Sequence, residues 1–151
     1  MKDIIVERTY DKDGVYNAVL HCFDDITEDN TDISVIEVDV YRDCWLVFKR
    51  FDEVLGYMQL APYNRTTIDI HPYIYKGARI YSHACGKLAL QWFDQFAPSM
   101  YKKLVSQVPS CYKHIKRYTL ALGFELEGTH KKAYTKHGKL LDVWLFGRER
   151  R

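Results

Sequence analysis

The sequence has no apolar run long enough to cross a membrane. No stretch of 18 or more apolar residues occurs, and residues 1–8 contain neither an apolar core nor the small-residue cleavage site of a secretory signal. We therefore expect a soluble, cytoplasmic protein without a membrane partner.

Closely spaced metal-binding residues are also missing. The four cysteines stand alone at positions 22, 44, 85 and 111, without a CxxC pair. The six histidines form no i, i+4 pair and have no carboxylate partner at ligand spacing. The sequence therefore predicts reduced cysteines, used as small core residues, and no metal site.

Glycine and proline are scarce, with 8 and 4 residues, while 47% of the chain is hydrophobic and 15% aromatic. There is no internal repeat, low-complexity tract or linker. A chain of 151 residues with this composition can bury one core. We expect a single domain over residues 1–151.

Charge is unevenly distributed although the net charge is only +2. Residues 1–100 contain 10 Lys/Arg and 16 Asp/Glu, whereas residues 101–151 contain 12 and 4. The basic part favours a phosphorylated cofactor, an acidic protein surface or nucleic acid, or it is a solvated basic face. We do not expect a nucleic-acid partner, because no recognised motif is present. The candidate contacts for one are Lys113, Lys116, Arg117, Lys131, Lys132, Arg148, Arg150 and Arg151, interleaved with tyrosines.

Hydrophobic periodicity predicts the elements of the first part of the chain. We expect a strand over 2–8, a helix over 14–23 capped by Asp11 or Asp13, and a loop or short helix over 24–32. The pattern of residues 34–40 fits either a short helix or an extended segment. Alternation then predicts a hairpin over 43–61, with its turn at 51–53, and a third strand over 66–71.

The remaining elements follow the same reasoning. A loop over 73–79 leads to an amphipathic helix from about Ile80, ended by Pro98. We then expect a strand over 101–108, a helix over 111–122 stopped by a left-handed Gly123, and a final hairpin over 125–135 and 139–146. This order predicts a mixed α/β fold.

The segment from Thr66 to Trp92 predicts a strand, a loop and a helix N-terminus. Unpaired N–H groups and the helix dipole make such a junction suitable for phosphate. Its loop contains only one glycine, Gly77, where phosphate-binding loops usually contain several.

Two motifs resemble the GNAT acetyltransferase superfamily. One is Ile70-His71-Pro72 followed by Lys76-Gly77-Ala78-Arg79-Ile80-Tyr81, where the family has Arg/Gln-x-x-Gly-x-Gly/Ala. The other is Leu122-Gly123-Phe124-Glu125-Leu126-Glu127-Gly128, similar to the family's passage from the last helix into the final hairpin. The resemblance implies a mostly antiparallel central sheet with helices on both faces and splayed fourth and fifth strands.

The resemblance also implies acetyl-CoA as co-substrate and an amine of a protein, peptide or small molecule as acceptor. The cofactor would contact the strand end and the loop, at Ile70, His71, Lys76, Gly77, Ala78, Arg79, Ile80 and Tyr81. In this sequence Arg79 and Tyr81 replace the family's two small residues, which removes room beside the backbone.

The implied catalytic residues are Tyr118 and Asp69. The family's tyrosine acid falls by spacing on Thr119, so Tyr118 is displaced by one residue on the helix. Asp69 is the candidate general base, with Glu37 or Glu53 acting through water as alternatives.

A second interpretation is a GNAT-fold protein that has lost catalysis and has a structural or interaction role. The compact, aromatic-rich chain and its altered loop are similar to small GNAT-like proteins of tailed bacteriophages, some of which accompany the virion. The edge of the final hairpin, around Tyr134 and Trp144, is a candidate homodimer contact.

Overall fold

The computed structural model of the chain describes residues 3–151. In this range seven strands form one sheet with three α-helices packed against it. The strands are β1 (Ile4–Thr9), β2 (Cys44–Arg50), β3 (Glu53–Pro62), β4 (Thr67–Ile74), β5 (Lys103–Pro109), β6 (Glu125–Lys136) and β7 (Lys139–Glu149). The α-helices are α1 (Lys12–Ile26), α2 (Ser82–Phe96) and α3 (Lys113–Ala121), and 3-10 helices cover Ile33–Val35 and Lys76–Tyr81.

The sheet order is β1-β2-β3-β4-β5-β7-β6. Every neighbouring pair is antiparallel except β4 and β5, which run parallel. The predicted hairpins and the meander of β2, β3 and β4 are confirmed. At the tip of the last hairpin His137 and Gly138 both have positive φ, as a tight hairpin turn requires.

Helix α1 covers one face of the sheet. The Asp11 carboxylate caps it by accepting a hydrogen bond from the Gly14 N–H at 3.1 Å, which confirms one of the two predicted caps. Its buried stripe, at helical spacing, contains Val15, Ala18, Val19 and Cys22. The stripe packs on a cluster that includes aromatic side chains of β2, β3 and β4. This packing fixes the end of α1 beside the last residues of β4.

Helices α2 and α3 lie against the larger core cluster of the opposite face. Helix α2 contributes Cys85, Ala89, Leu90 and Phe93, all buried, because its apolar residues recur every three or four positions. Gly123 ends the α3 region with φ of 92°, the positive value predicted for it. The predicted sheet with helices on both faces is thus confirmed.

Strands β4 and β5 separate along their length. They are paired only at three register positions, from Thr67–Lys103 to Asp69–Val105, and both strands continue beyond the last pair. Pro72 lies in the unpaired part of β4 and has no N–H to donate to a ladder. The predicted splay of these two strands is confirmed. Pro72 helps to maintain it, because a ladder cannot continue through a residue without an N–H.

Most predicted bounds shift by a few residues, and the differences that matter for the site lie between β4 and α2. Strand β4 ends at Ile74 rather than residue 71, because Ile74 is buried in the larger core cluster. Residues 76–81 form a 3-10 helix instead of a loop, and α2 begins at Ser82. Ala78 is buried on the core and holds this short helix in place. The start of the predicted first strand, at residue 2, lies outside the described residues.

Two of the basic residues considered for nucleic acid are part of the fold. Arg148 is buried and makes a two-bond ion pair with Asp94, at 3.0 and 2.8 Å. The Arg150 guanidinium donates to main-chain carbonyls at the end of α2, among them that of Ala97 at 2.8 Å. These contacts fasten α2 to β7 and take both side chains out of the exposed basic surface.

Among the described residues, no helix combines the length and the apolar character that a membrane crossing needs.

The Asp94–Arg148 pair gives a stability prediction. Burial raises the pKa of Asp94, but hydrogen bonds from Arg148 and the Arg151 N–H outweigh it and keep that pKa below its usual range. Asp94→Ala leaves a buried guanidinium unpaired, so we expect a loss of about 3 kcal/mol in the free energy of unfolding, measured by urea denaturation. Glu7→Ala is the control, because it removes a half-exposed pair with Lys49 and should cost less than about 1 kcal/mol. Equal losses would contradict the role given to Asp94.

Candidate active site

A cavity of about 680 Å³ lies where β4 and β5 separate. Residues from α1, on one face of the sheet, line one end of the cavity, and residues from α2 and α3, on the other face, line the other end. The cavity therefore passes between the two faces of the sheet. Its lining includes Cys22, Asp25 and Glu28 at the α1 end, Asp69 and His71 on β4, Gln107 on β5, and Ser82 and Tyr118 at the other end. The size is in the range of cavities that bind small molecules.

The edge of β4 presents main-chain groups to this cavity. The Tyr75 N–H donates to the Leu55 carbonyl of β3 at 3.1 Å, and the β3–β4 register contains no shift. Backbone direction alternates along a strand, so odd-numbered residues face β3 and even-numbered residues face β5. Ile70, Pro72 and Ile74 therefore direct their carbonyls, and Ile74 its N–H, toward the cavity.

Asp69 is a carboxylate in the cavity with an altered acidity. Its side chain is partly buried at the last paired position of β4. Burial raises its pKa from 3.8 to about 6. A carboxylate with this pKa is ionised at neutral pH and still accepts a proton readily, which suits a general base.

His71 lies on the same face of β4 but is a weak base. Its Nδ1 is 3.0 Å from the Pro72 carbonyl, to which it donates in the neutral ring, and its ring packs on Tyr73 at 4.6 Å. Burial lowers its pKa to about 4, despite the bond to Pro72. The ring is therefore neutral at physiological pH.

Tyr118 and Thr119 are placed differently on α3. The Tyr118 hydroxyl lines the cavity and donates to the Ser82 carbonyl at 2.8 Å, whereas the buried Thr119 hydroxyl donates to Ile115 within the same helix. Burial raises the pKa of Tyr118, so its proton is retained. Gly86 makes this position possible, because a Cβ there would meet the Tyr118 hydroxyl.

The 76–81 segment offers fewer free main-chain N–H groups than its sequence suggests. The Ala78 N–H donates to Tyr75 at 2.9 Å, and the N–H groups after it are used within the 3-10 helix. The Lys76 N–H donates to His21 at 3.3 Å. Gly77 has an ordinary backbone angle and open space beside it. This segment therefore offers an anion its side chains more than its N–H groups.

Of this segment's side chains, Arg79 alone lines the cavity. Its guanidinium is 3.0 Å from the Asp25 carboxylate of α1, and both side chains are half exposed. Ile80 points into solvent and is 82% exposed. Tyr81 packs on the core beneath the Arg50 guanidinium, 5.4 Å away. The structure thus brings Asp69, His71, Arg79 and Tyr118 to one cavity and leaves the other segment side chains outside it.

The two alternative bases lie elsewhere. Glu37 is exposed and pairs with Arg42 at 3.6 Å, and Glu53 is exposed at the start of β3. Neither lines the cavity. Sequence reasoning missed Gln107 and Glu28, which also line the cavity. They reach it through the tertiary placement of β5 and of the end of α1, which the local sequence does not report.

Asp69 gives a prediction about stability and pH. Because its pKa is raised in the folded state, the charged form destabilises the fold. The penalty is absent below pH 4, grows as pH rises to about 6 and is constant above it. Asp69→Asn should therefore raise the free energy of unfolding by about 1 to 3 kcal/mol at pH 7.5. Denaturation at pH 4 is the internal control, where the gain should vanish; a gain of equal size at both pH values would contradict the assignment.

Comparison with solved structures identifies the architecture. No protein-family model and no curated protein sequence matches the chain. The chain is similar to an acetyltransferase of the GNAT family from Streptococcus pneumoniae, with a TM-score of 0.71, 16% identity and coverage of 98% of this chain and 99% of the other. It is similar to a putative acetyltransferase from Salmonella typhimurium with its cofactor acetyl-CoA, with a TM-score of 0.76, 15% identity and coverage of 98% and 94%.

A third similar structure is spermidine N-acetyltransferase from Vibrio cholerae in complex with CoA and spermine. Its TM-score is 0.75, with 12% identity and coverage of 99% of this chain and 97% of the other. The likeness to all three extends over nearly the whole length of both chains. The chain therefore has the fold of the GNAT acetyltransferases, as its two motifs predicted.

Proposed function

We propose that this protein is an N-acetyltransferase that uses acetyl-CoA and an amine acceptor. The observation that carries the proposal is the gap between β4 and β5, with an unpaired β4 edge and a raised-pKa carboxylate at one cavity. The fold it shares with structures that contain acetyl-CoA or CoA adds support. The acceptor is an amine of a small molecule, a peptide or a protein.

The β4 edge fits an extended chain of amide groups. The carbonyls of Ile70 and Pro72 accept hydrogen bonds, and the Ile74 N–H donates one, so the pantetheine arm would pair with β4 as an additional strand. When bound, acetyl-CoA supplies the activated acetyl group as a thioester. Because Pro72 has no N–H, it cannot donate a hydrogen bond to the acetyl carbonyl. Another main-chain N–H must take that role.

The phosphate end depends on cationic side chains. Arg79, the one side chain of this segment that lines the cavity, is the candidate for a charge-assisted bond to phosphate. The N–H groups of residues 78–81 are used within their own short helix. Phosphate binding therefore relies on charge here, and it should weaken with salt.

Proton transfer is assigned to two groups at the cavity. Asp69 accepts the proton of the attacking amine, directly or through water, because its raised pKa places it near neutrality. Tyr118 retains its proton and donates it to the departing sulfur, for which its hydroxyl must leave the Ser82 carbonyl. The neutral His71 orients the strand through its bond to Pro72.

A second candidate function is a structural or interaction role without catalysis, as in a virion-associated component. Two observations favour it: Arg79 is already paired with Asp25, and the adjoining N–H groups are already used. Cofactor binding separates the two functions. Homodimer formation through the final hairpin stays a prediction.

Binding of acetyl-CoA is the first test. Acetyl-CoA at about 100 times its dissociation constant should stabilise the fold by roughly 2.7 kcal/mol, seen as a rise in melting temperature. Arg79→Glu should weaken the binding, with Lys87→Glu, an exposed lysine outside the cavity, as the matched control. The absence of any shift at millimolar acetyl-CoA would favour the structural role.

The acid role of Tyr118 has a separate test. Tyr118→Phe should lower the rate of acetyl-CoA-dependent thiol release at least tenfold, because the leaving sulfur loses its proton donor. Tyr112→Phe is the matched control, since it removes a buried hydroxyl of another tyrosine that lines the cavity and should change the rate little. Full activity in Tyr118→Phe would remove this residue from the mechanism.

A further inference from the structure

A polar network, made of Asp43, Gln59 and Tyr73, connects the start of β2 with β3 and β4. Asp43 is only 2% exposed, and its carboxylate accepts a hydrogen bond from the Gln59 side-chain N–H at 2.9 Å. The Gln59 side-chain oxygen accepts a hydrogen bond from the Tyr73 hydroxyl at 3.1 Å. Because a carboxylate only accepts, the Gln59 amide must turn its NH2 group toward Asp43 and its oxygen toward Tyr73. The network therefore has one hydrogen-bonded arrangement.

The network ends on His71. Tyr73 is opposite Tyr57 in the β3–β4 register, but its hydroxyl reaches Gln59, which is opposite His71. The Tyr73 side chain therefore leans along β4, and its ring packs on the His71 ring with the centroids 4.6 Å apart. The His71 Nδ1 in turn donates to the Pro72 carbonyl at 3.0 Å, and that carbonyl faces the cavity.

Burial makes the arrangement of the network costly to change. Tyr73 is 7% exposed and belongs to the smaller core cluster, where its ring lies 5.4 Å from the ring of Trp45. A buried hydroxyl or carboxylate that loses its partner destabilises the fold, so the Tyr73 hydroxyl stays on Gln59 and Gln59 stays on Asp43. The ring of Tyr73 is thus held at one place over β4.

We propose that Asp43, Gln59 and Tyr73 are positioning residues for the cofactor-binding edge of β4. The inference rests on the proposed function. None of the three lines the cavity, so they act through His71. They keep the His71 ring in the orientation that donates to the Pro72 carbonyl. This bond uses one lone pair of the carbonyl oxygen and directs the other toward the pantetheine arm.

Isothermal titration calorimetry with CoA tests the network. Gln59→Leu removes both bonds of the amide but keeps a side chain of similar size, so CoA affinity should fall roughly fivefold, which corresponds to about one hydrogen bond. Tyr73→Phe should have a similar effect. The double variant should lose no more affinity than either single variant, because both changes break the same network. Asp43→Asn keeps an oxygen acceptor for Gln59 and should retain wild-type affinity.

The matched control is Thr27→Val. It removes a hydroxyl that donates to the Phe23 carbonyl at 2.7 Å, outside the network and the cavity lining. Thermal denaturation gives the stability of each variant. We expect Thr27→Val to bind CoA like the wild type, whatever its melting temperature. A CoA affinity that follows the melting temperature equally in Thr27→Val and Gln59→Leu would overturn the positioning role.

The His71 ring provides a second measurement that does not depend on binding. Its Nδ1–H should give a protected 1H–15N NMR signal in the wild type, and Gln59→Leu should broaden or remove that signal. An unchanged His71 signal, or an unchanged CoA affinity, in folded Gln59→Leu would overturn the positioning role and leave the proposed function intact. Failure of CoA to bind the wild type would overturn the proposed function, and the positioning role with it, even with the His71 signal present.

Discussion

The break in hydrogen bonding between β4 and β5 is the constraint on which the rest of the site depends. Parallel pairing stops after Asp69, and Pro72 cannot donate the N–H that a continued ladder would need. Helix α1 packs on one face of the sheet, and α2 and α3 pack on the other. The result is a cavity of about 680 Å³ that opens a strand edge inside an otherwise continuous sheet.

This cavity changes the chemistry of the side chains around it. Asp69 has a raised pKa because it is partly buried, whereas Asp25, also at the cavity, has Arg79 as its counter-ion. Tyr118 keeps its proton for the same reason of burial. The two carboxylates thus differ in our account: Asp69 receives a proton at the reacting amine, whereas Asp25 is already paired with Arg79.

Much of the fold could be predicted from local patterns, since alternation located the hairpins and Gly123 marked the end of α3. The resemblance that Ile70-His71-Pro72 carries also implied the splay of β4 and β5. The sequence could not predict that the N–H groups of the 76–81 segment are used in hydrogen bonds within a 3-10 helix. The burial of Ala78 on the core holds the segment in that conformation. The partner of Arg79 could not be predicted either, because its contact with α1 depends on how the helix crosses β4.

The central claim is that the unpaired edge of β4 binds the arm of acetyl-CoA. Amide hydrogen exchange with and without CoA tests it most directly, read at Ile74, which faces the cavity, and at Tyr75, which is bonded to β3. The account predicts that CoA slows exchange at Ile74 much more than at Tyr75. Binding of CoA with no added protection at Ile74 would contradict it.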